Sequence, residues 1–170
     1  KAEKSKVDKP KGIKYLGFGF YFDSFAKGYK ARPHAKAVKK FEVQMKKLTC
    51  RRWGVSNAYK VEKLNQLTRG WINYFKIGSM KGLCEKLDRR IRYRLRMCIW
   101  KHWKTAKNRA RNLMKLDVPR WAAYKIAYCG DRYARLAHNG WVQKAISNKR
   151  LADYGLISMT DYYAKRRVTC

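Results

Sequence analysis

Acidic residues, which would hold the divalent metal ions of a phosphoryl-transfer or nucleotidyl-transfer enzyme, are few and scattered in this sequence. The 11 Asp and Glu residues include no adjacent Asp-Asp pair and no His-x-Glu motif, whereas such metal sites need clustered carboxylates. Glu85 and Asp88 are one helical turn apart, but basic residues surround them, and this pattern predicts a salt-bridged surface. The sequence therefore predicts no catalytic site and no cofactor within this segment.

Histidine and cysteine residues are also spaced in a way that does not indicate a metal site. The histidines lie far apart, and the cysteines form no Cys-x-x-Cys motif. An odd number of cysteines without a disulfide framework is typical of reduced thiols in an intracellular protein, most of them small apolar core residues. The residues concerned are His34, His102, His138, Cys50, Cys84, Cys98, Cys129 and the terminal Cys170.

Basic residues dominate the charge, because 43 Lys and Arg against 11 Asp and Glu give a formal net charge of +32. A compact fold with that much self-repulsion implies a polyanionic partner. Nucleic acid fits better than a membrane surface, since the basic residues run through nearly the whole chain. No stretch approaches the roughly 18 apolar residues of a membrane-spanning helix. The 6 Trp, 12 Tyr and 6 Phe supply a folded core and ring faces on which unpaired bases can stack.

The elements that must position these residues begin with a predicted β-hairpin. Residues 1–12 are polar, with five lysines, and predict an exposed or disordered lead-in. Residues 15–22 are aromatic and interrupted by glycines, and turn-forming residues separate them from residues 29–32. This pattern is typical of two short strands. Because two strands alone are marginally stable in water, we expect the hairpin to join a larger sheet or to pack on helices.

Three long helices are predicted next. Pro33 can open the first, in which apolar residues recur at spacings of three and four. Ser56 is a candidate cap for the second helix, which ends near Gly78. The third spans residues 80–104, with Arg94 falling close to its core line. That core line consists of Leu83, Leu87, Ile91, Leu95, Cys98 and His102.

The opposite face of the third helix combines basic and aromatic residues. Its aromatic residues have two readings: they stack on bases, or they pack on a neighbouring helix or domain. The sequence leaves both open. At roughly 100° per residue, this face carries Arg89, Arg92, Arg96 and Lys104 together with Tyr93, Met97 and Trp100, while Arg90 and Lys101 flank the core line.

The C-terminal part reads as short helices punctuated by glycines. Asp117, followed two residues later by Pro119, predicts a helix start, and we place a boundary there. The apolar residues that follow are interpreted as the anchors of these short helices. They are Trp121, Tyr124, Ile126, Tyr128, Leu136, Trp141, Ile146, Leu151 and Leu156.

Four short strings of residues carry a family resemblance. Residues 67–75 (LTRGWINYF), with residues 89–92 (RRIR) and 100–104 (WKHWK), closely resemble the maturase-specific domain of bacterial group II intron reverse transcriptases. Residues 15–18 (YLGF) look like the strand that closes the palm of those enzymes, ahead of the thumb. The resemblance is strongest over residues 14–115 and weaker after Asp117, where position alone indicates the DNA-binding region.

The resemblance implies a mainly α architecture in three parts. Residues 1–32 would be the lead-in and palm-terminal hairpin, residues 33–116 the thumb or maturase domain X of three long helices, and residues 117–170 a small helical DNA-binding domain. The fingers and most of the palm, with the metal-binding aspartates of the polymerase and their Mg²⁺, would lie outside this sequence. A zinc-bearing endonuclease domain, carried by some members, is also missing.

The same resemblance implies what the segment binds. It would hold intron RNA to assist splicing and grip a template–primer duplex during reverse transcription and insertion into target DNA. It would also contact the fingers and palm of a parent reverse transcriptase, in the bacterial cytoplasm. Arg89, Arg92, Arg96 and Lys104 would be leading phosphate contacts and Arg90 and Lys101 secondary ones. The further candidates are Arg69, Lys107, Arg109 and Arg111, with Trp100 or Tyr93 as stacking residues.

Two other classes of protein share the basic composition. A structural protein of a ribonucleoprotein, of ribosomal type, would share the charge and the lack of acids, but such proteins tend to have few large core aromatics. A helical DNA-binding module would favour a compact helix-turn-helix with a short recognition helix, not a helix of about 25 residues. The sequence favours the intron-binding interpretation.

Overall fold

The computed structural model describes residues 9–168 of the chain, and within that range it confirms a mainly α fold that begins with a small antiparallel sheet. The expectations for residues 1–8 and for Cys170 lie outside the described residues. The strands are β1 (Lys14–Tyr15), β2 (Phe18–Asp23) and β3 (Gly28–Pro33), and the helices are α1 (Ala35–Leu48), α2 (Asn57–Phe75), α3 (Lys81–His102), α4 (Ala106–Lys115), α5 (Arg120–Ala127), α6 (Tyr133–Ala137), α7 (Gly140–Ala145), α8 (Asn148–Asp153) and α9 (Met159–Val168).

The sheet contains the predicted hairpin and one further strand, in the order β1-β2-β3. Leu16 and Gly17 form the turn between β1 and β2 with φ angles of 45° and 82°, the left-handed pair that a tight two-residue hairpin turn needs. At the other end of β2, the Asp23 carboxylate accepts hydrogen bonds from the backbone N–H groups of Phe25 and Ala26. Residues 15–22, which the sequence predicts as one strand of a hairpin, therefore contribute to two strands, β1 and β2.

Backbone hydrogen bonds attach this sheet to the helices. The His34 N–H donates to the Gly17 carbonyl at 2.9 Å, and the Ser79 N–H donates to the Ala31 carbonyl at 2.8 Å. A side chain at Gly78 would come within 3.3 to 3.4 Å of Phe75, Ala31 and Phe18 atoms, so this close approach favours glycine. The sheet packs on the end of α2, as expected for a hairpin too small to stand alone.

The first hydrophobic core lies among α1, α2, α3 and α9. The Ser56 hydroxyl caps α2 by accepting a hydrogen bond from the Tyr59 N–H, which confirms the predicted start of that helix. Leu87, Ile91 and Leu95 of α3 are buried in this core, as their spacing predicted. His102, placed on the same line, is exposed at the last turn of α3.

A second core forms around the C-terminal half of α3 and the helices from α4 to α8. Trp100 is its largest fully buried side chain, with 1% of its surface exposed. Between α3 and α4, Lys104 takes a left-handed backbone conformation with a φ of 53°. The Thr105 hydroxyl then caps α4 by accepting from the Asn108 N–H, a helix start that the sequence analysis did not identify.

The last helix, α9, packs on α2 and α3 instead of on the other C-terminal helices. Its Met159 and Tyr163 are buried in the first core. The Asp88 carboxylate of α3 accepts hydrogen bonds from the Met159 and Thr160 N–H groups, at 2.8 and 3.0 Å, and from two hydroxyls. Asp88 is therefore a buried cap for the N-terminus of α9, and the prediction of a salt-bridged surface is wrong for it. The domain boundary that the sequence predicts after residue 116 does not coincide with the boundary between the two cores, because α9 belongs to the first core and Trp100 and Leu113 belong to the second.

Within residues 9–168, none of the helices combines the length and the apolar character that crossing a membrane requires.

Candidate nucleic-acid interface

A cavity with five Lys and Arg side chains in its lining opens where the loop after α1, the start of α2, the end of α3 and the residues around α4 and α6 meet. Its volume is about 530 Å³. We call it the cationic cavity. Asp131 is the one carboxylate among its lining residues. Its cationic side chains are Arg51, Lys60, Lys101, Lys104 and Arg109, and Tyr133 supplies an aromatic ring.

Tyr133, the first residue of α6, holds two of these cations near its ring. The Arg51 guanidinium carbon lies 4.4 Å from the ring centroid, and the Lys101 Nζ lies 5.8 Å from it. Both distances fall within the range of cation–π attraction. Arg51 and Lys101 are otherwise exposed, so their charged groups remain accessible to a ligand.

Lys60 is the most deeply buried cation of the cavity, with 2% of its surface exposed. Its Nζ donates a hydrogen bond to the Cys50 carbonyl at 3.0 Å. An ammonium group has three donors, and this bond uses one of them. A buried ammonium is costly unless its donors are satisfied, so the position is well suited to an anion that enters the cavity.

Arg109 is 5% exposed and lies at the inner side of the cavity. Its guanidinium donates to the Gly130 carbonyl at 3.2 Å and to the Asp131 carboxylate at 2.9 Å. The bond from Arg109 is the main reason that the pKa of Asp131 lies below its ordinary value. The Arg109 Nε is buried without a hydrogen-bond partner among the described residues, and the guanidinium carbon lies 5.4 Å from the centroid of the Trp100 ring.

The arrangement is suited to binding an anion. Five Lys and Arg side chains and one carboxylate line the cavity, and a concave site with an excess of one sign of charge concentrates counter-ions of the other sign. The described residues contain no group of three or more His, Cys, Asp or Glu side chains that could hold a metal ion. Anion binding is therefore the chemistry that this cavity supports.

The residues proposed from the sequence fall into separate places. Lys101, Lys104 and Arg109 come together in the cationic cavity, whereas Arg89 and Arg92 line a shallower groove beside Ser158 and Thr160. Arg90 forms an ion pair with Glu42 of α1. The six that are exposed are Arg69, Arg89, Lys101, Lys104, Lys107 and Arg111.

Arg96 does not project into solvent as predicted. It is 8% exposed, and its guanidinium donates to the Ile146 carbonyl at 2.9 Å and to the Asn148 side chain at 3.0 Å. Burial lowers its pKa, and the neighbouring Arg92 adds to that effect. The predicted exposed orientation of Arg96 is wrong because the second half of α3 is covered on that side by the loop between α7 and α8.

The aromatic residues of α3 pack within the protein. Trp100 is buried in the second core beside Trp103, with ring centroids 5.6 Å apart, so of the two open readings packing is what the structure shows. The Tyr93 ring lies 4.5 Å from that of His138. Arg94, near the core line, donates to the Thr49 hydroxyl and to the Lys46 carbonyl and so joins α3 to the end of α1.

Sequence reasoning missed Arg51, Lys60 and Tyr133 as parts of the site. A signal for Lys60 was present, because Lys60, Leu64 and Thr68 recur every four residues and all three are buried. A lysine on the core line of an amphipathic helix is an anomaly worth marking. Arg51 and Tyr133 carried no such signal, since their proximity depends on how the second core packs.

Comparisons with known proteins bear on this site directly. The search of curated proteins found no match for the chain. Residues 38–118 match the family described as "Group II intron, maturase-specific domain". The matched range contains all five cations of the cationic cavity and most of α1 together with α2, α3 and α4. Residues 38–118, a little under half of the chain, are therefore similar to the maturase-specific domain of group II introns, and this match supports a maturase role in splicing.

Proposed function

We propose that this chain is the RNA-binding segment of a group II intron maturase and that its cationic cavity receives backbone phosphates of the folded intron RNA. The observation that carries this proposal is the buried Lys60 and the nearly buried Arg109 in one concave site. Surface cations of a basic protein are usually solvated, whereas buried cations are costly unless their donors are satisfied, and the Cys50 carbonyl takes one of the three donors of Lys60. A phosphate oxygen is the acceptor that suits Lys and Arg donors best.

The charge of the whole chain supports the same function. A formal charge of +32 supplies long-range attraction for RNA, while the cavity supplies a fixed position for individual phosphates. Phosphate contacts set the register of a protein on nucleic acid without reading its sequence. We infer that the cavity orients the intron RNA and that other surfaces contribute to its recognition.

Roles in the wider protein form part of the proposal. The likeness of residues 15–18 to a palm strand supports attachment of the sheet to a polymerase palm, and the exposed Arg89, Lys107 and Arg111 are suited to a template–primer duplex. Contact of the C-terminal helices with target DNA is proposed on their position in the chain. Each of these roles belongs to a parent reverse transcriptase.

The proposal is tested with Arg51→Ala and Lys101→Ala, since both side chains are exposed and their removal leaves the cores intact. Each variant should bind a structured group II intron RNA more weakly by about 1.5 kcal/mol, a factor of roughly ten, because a charge-assisted hydrogen bond is lost. Lys36→Ala, an exposed lysine in the first turn of α1, is the matched control. Equal affinities for all three variants and the original chain would remove the cavity from the RNA interface.

A further inference from the structure

Helix α5 has its large aromatic residues on the outside. Trp121 is 65% exposed, and the nearby Tyr124 and Tyr128 are also exposed. Burying a large apolar side chain stabilises a fold far more than burying an alanine, so core stability alone does not explain this distribution. The side of α5 that faces the second core consists of Ala122, Ala123, Ile126 and Ala127.

Small residues on the inner side of α5 let it pack closely on α4, where Ala110 is buried. Trp121 lies on the opposite side of α5, at the surface. It does not lie there alone. The rings of Trp121 and of Trp141 in α7 meet at an angle of 85° with centroids 5.8 Å apart. The two indoles form a corner open to solvent.

That corner is part of a pocket of about 490 Å³, which we call the α5 pocket. The volume falls within the roughly 300 to 1,000 Å³ of pockets that enclose small molecules. Ala122, Ile126 and Leu136 give it an apolar lining beside the two indoles. These walls suit a flat ring system with an apolar face.

The remaining lining of the α5 pocket consists of three cationic residues and the uncharged Cys129 and Asn139. Lys125, Arg132 and Arg135 line it, and no Asp or Glu does. The Lys144 Nζ lies 5.5 Å from the centroid of the Trp141 ring and adds another cation beside the pocket. A ligand that matches both features has an aromatic ring joined to a negatively charged group. A nucleotide is such a ligand, since its base can stack on an indole while its phosphate meets the arginines.

We propose that the α5 pocket binds an unpaired nucleotide of single-stranded RNA, with the base against Trp121 and the phosphate near Arg132 and Arg135. The inference rests on the proposed RNA-binding function and names a second site for it, separate in lining residues from the cationic cavity. Paired bases are stacked inside a helix and leave no free ring face. The pocket therefore selects single-stranded segments of the RNA.

The test compares Trp121→Ala and Trp121→Phe in the full chain, with fluorescein-labelled decauridylate as the probe and an RNA duplex of the same length beside it. Trp121→Ala should lose roughly 5- to 150-fold in affinity for decauridylate, the range for removing one base-stacking ring. Trp121→Phe, which keeps an aromatic ring, should retain most of the affinity. Duplex binding should not change in either variant.

Phe25→Ala is the matched control, because Phe25 is an aromatic residue 99% exposed in the turn between β2 and β3. Unchanged decauridylate binding by Trp121→Ala, or an equal loss on the duplex, would overturn the proposal. An oligothymidylate of the same length is tested beside decauridylate, and a loss of affinity confined to this DNA probe would assign the pocket to DNA and also overturn the proposal. If the original chain binds intron RNA but Trp121→Ala has no effect on decauridylate, the α5 pocket proposal fails and the proposed function stands. If the original chain does not bind intron RNA, the proposed function itself fails.

Discussion

Among residues 9–168 of this strongly charged protein, three basic residues, Lys60, Arg96 and Arg109, are buried, and they have different partners. Arg96 is held by a carbonyl and an amide side chain of the loop between α7 and α8. Lys60 and Arg109 line the cationic cavity. A buried guanidinium is tolerated where its donors find acceptors. Arg96 therefore stabilises the fold. Arg109 also has protein acceptors, in the Gly130 carbonyl and the Asp131 carboxylate, and the proposed phosphate would add to them.

The role of Arg96 gives a stability prediction. Arg96→Ala removes two hydrogen bonds and leaves the Ile146 carbonyl without that donor, so it should lower the free energy of unfolding by roughly 1.5 to 3 kcal/mol. Arg89→Ala on the same helix removes an exposed side chain and should change stability by no more than about 0.5 kcal/mol. Urea unfolding followed by circular dichroism measures both. Equal midpoints for the two variants would mean that Arg96 is not a structural residue.

At the scale of secondary structure, hydrophobic periodicity predicts where the long helices lie. It is less informative about which of their faces other elements cover. Spacings of three and four residues located α1, α2 and α3, and Ser56 marked the start of α2. Periodicity shows which side chains share a face of a helix, but it does not show whether other parts of the protein bury one face or two. The N-terminal half of α3 has one buried face, whereas its C-terminal half passes between two cores and buries Arg96 and Trp100 as well.

The candidate sites were predicted only in part for a related reason. Lys101, Lys104 and Arg109 were named as nucleic-acid contacts from charge and from the resemblance, and the structure places them in one cavity. Arg51 and Tyr133 join them through tertiary packing, which sequence spacing does not encode. Trp121 was read as a core anchor because large aromatics are usually buried. Here small alanines face the core and the indole is left outside.

Helix α9 depends on a residue far away in sequence, and this gives an element-scale prediction. Asp88→Ala leaves the Met159 and Thr160 N–H groups at the start of α9 without their acceptor, and these groups carry the positive end of the helix dipole. We expect a loss of roughly 1.5 to 3 kcal/mol in the free energy of unfolding. Glu85→Ala, an exposed acid one turn earlier, should have little effect. Thermal melts of the two variants compare them, and a stable Asp88→Ala protein would show that α9 does not need this cap.

At the scale of the whole molecule, α3 is the element that joins the two hydrophobic cores. Leu87, Ile91 and Leu95 belong to the first core and Trp100 to the second.

Repulsion among the positive charges of the chain is opposed by few ion pairs. The described residues form four, including Arg90 with Glu42 and Arg109 with Asp131. The formal charge of +32 already counts every Asp and Glu, so these pairs reduce repulsion locally and leave the net charge unchanged. Excess positive charge therefore opposes folding and favours binding of a polyanion at the same time.

This conflict predicts opposite responses to salt. Added salt screens repulsion between like charges, so the thermal midpoint of the free protein should rise between about 50 and 200 mM salt. Over the same range the affinity for intron RNA should fall, with a slope of log affinity against log salt of about −0.7 to −0.9 per phosphate neutralised. Lys101→Ala, which removes one cation of the cationic cavity, should make that slope less steep by about one unit, whereas Lys36→Ala should not. Calorimetry on the protein alone and filter binding with the RNA give the two curves. A midpoint that falls with salt would show that ion pairs outweigh repulsion, and a flat binding curve would show that RNA is held by contacts other than phosphates.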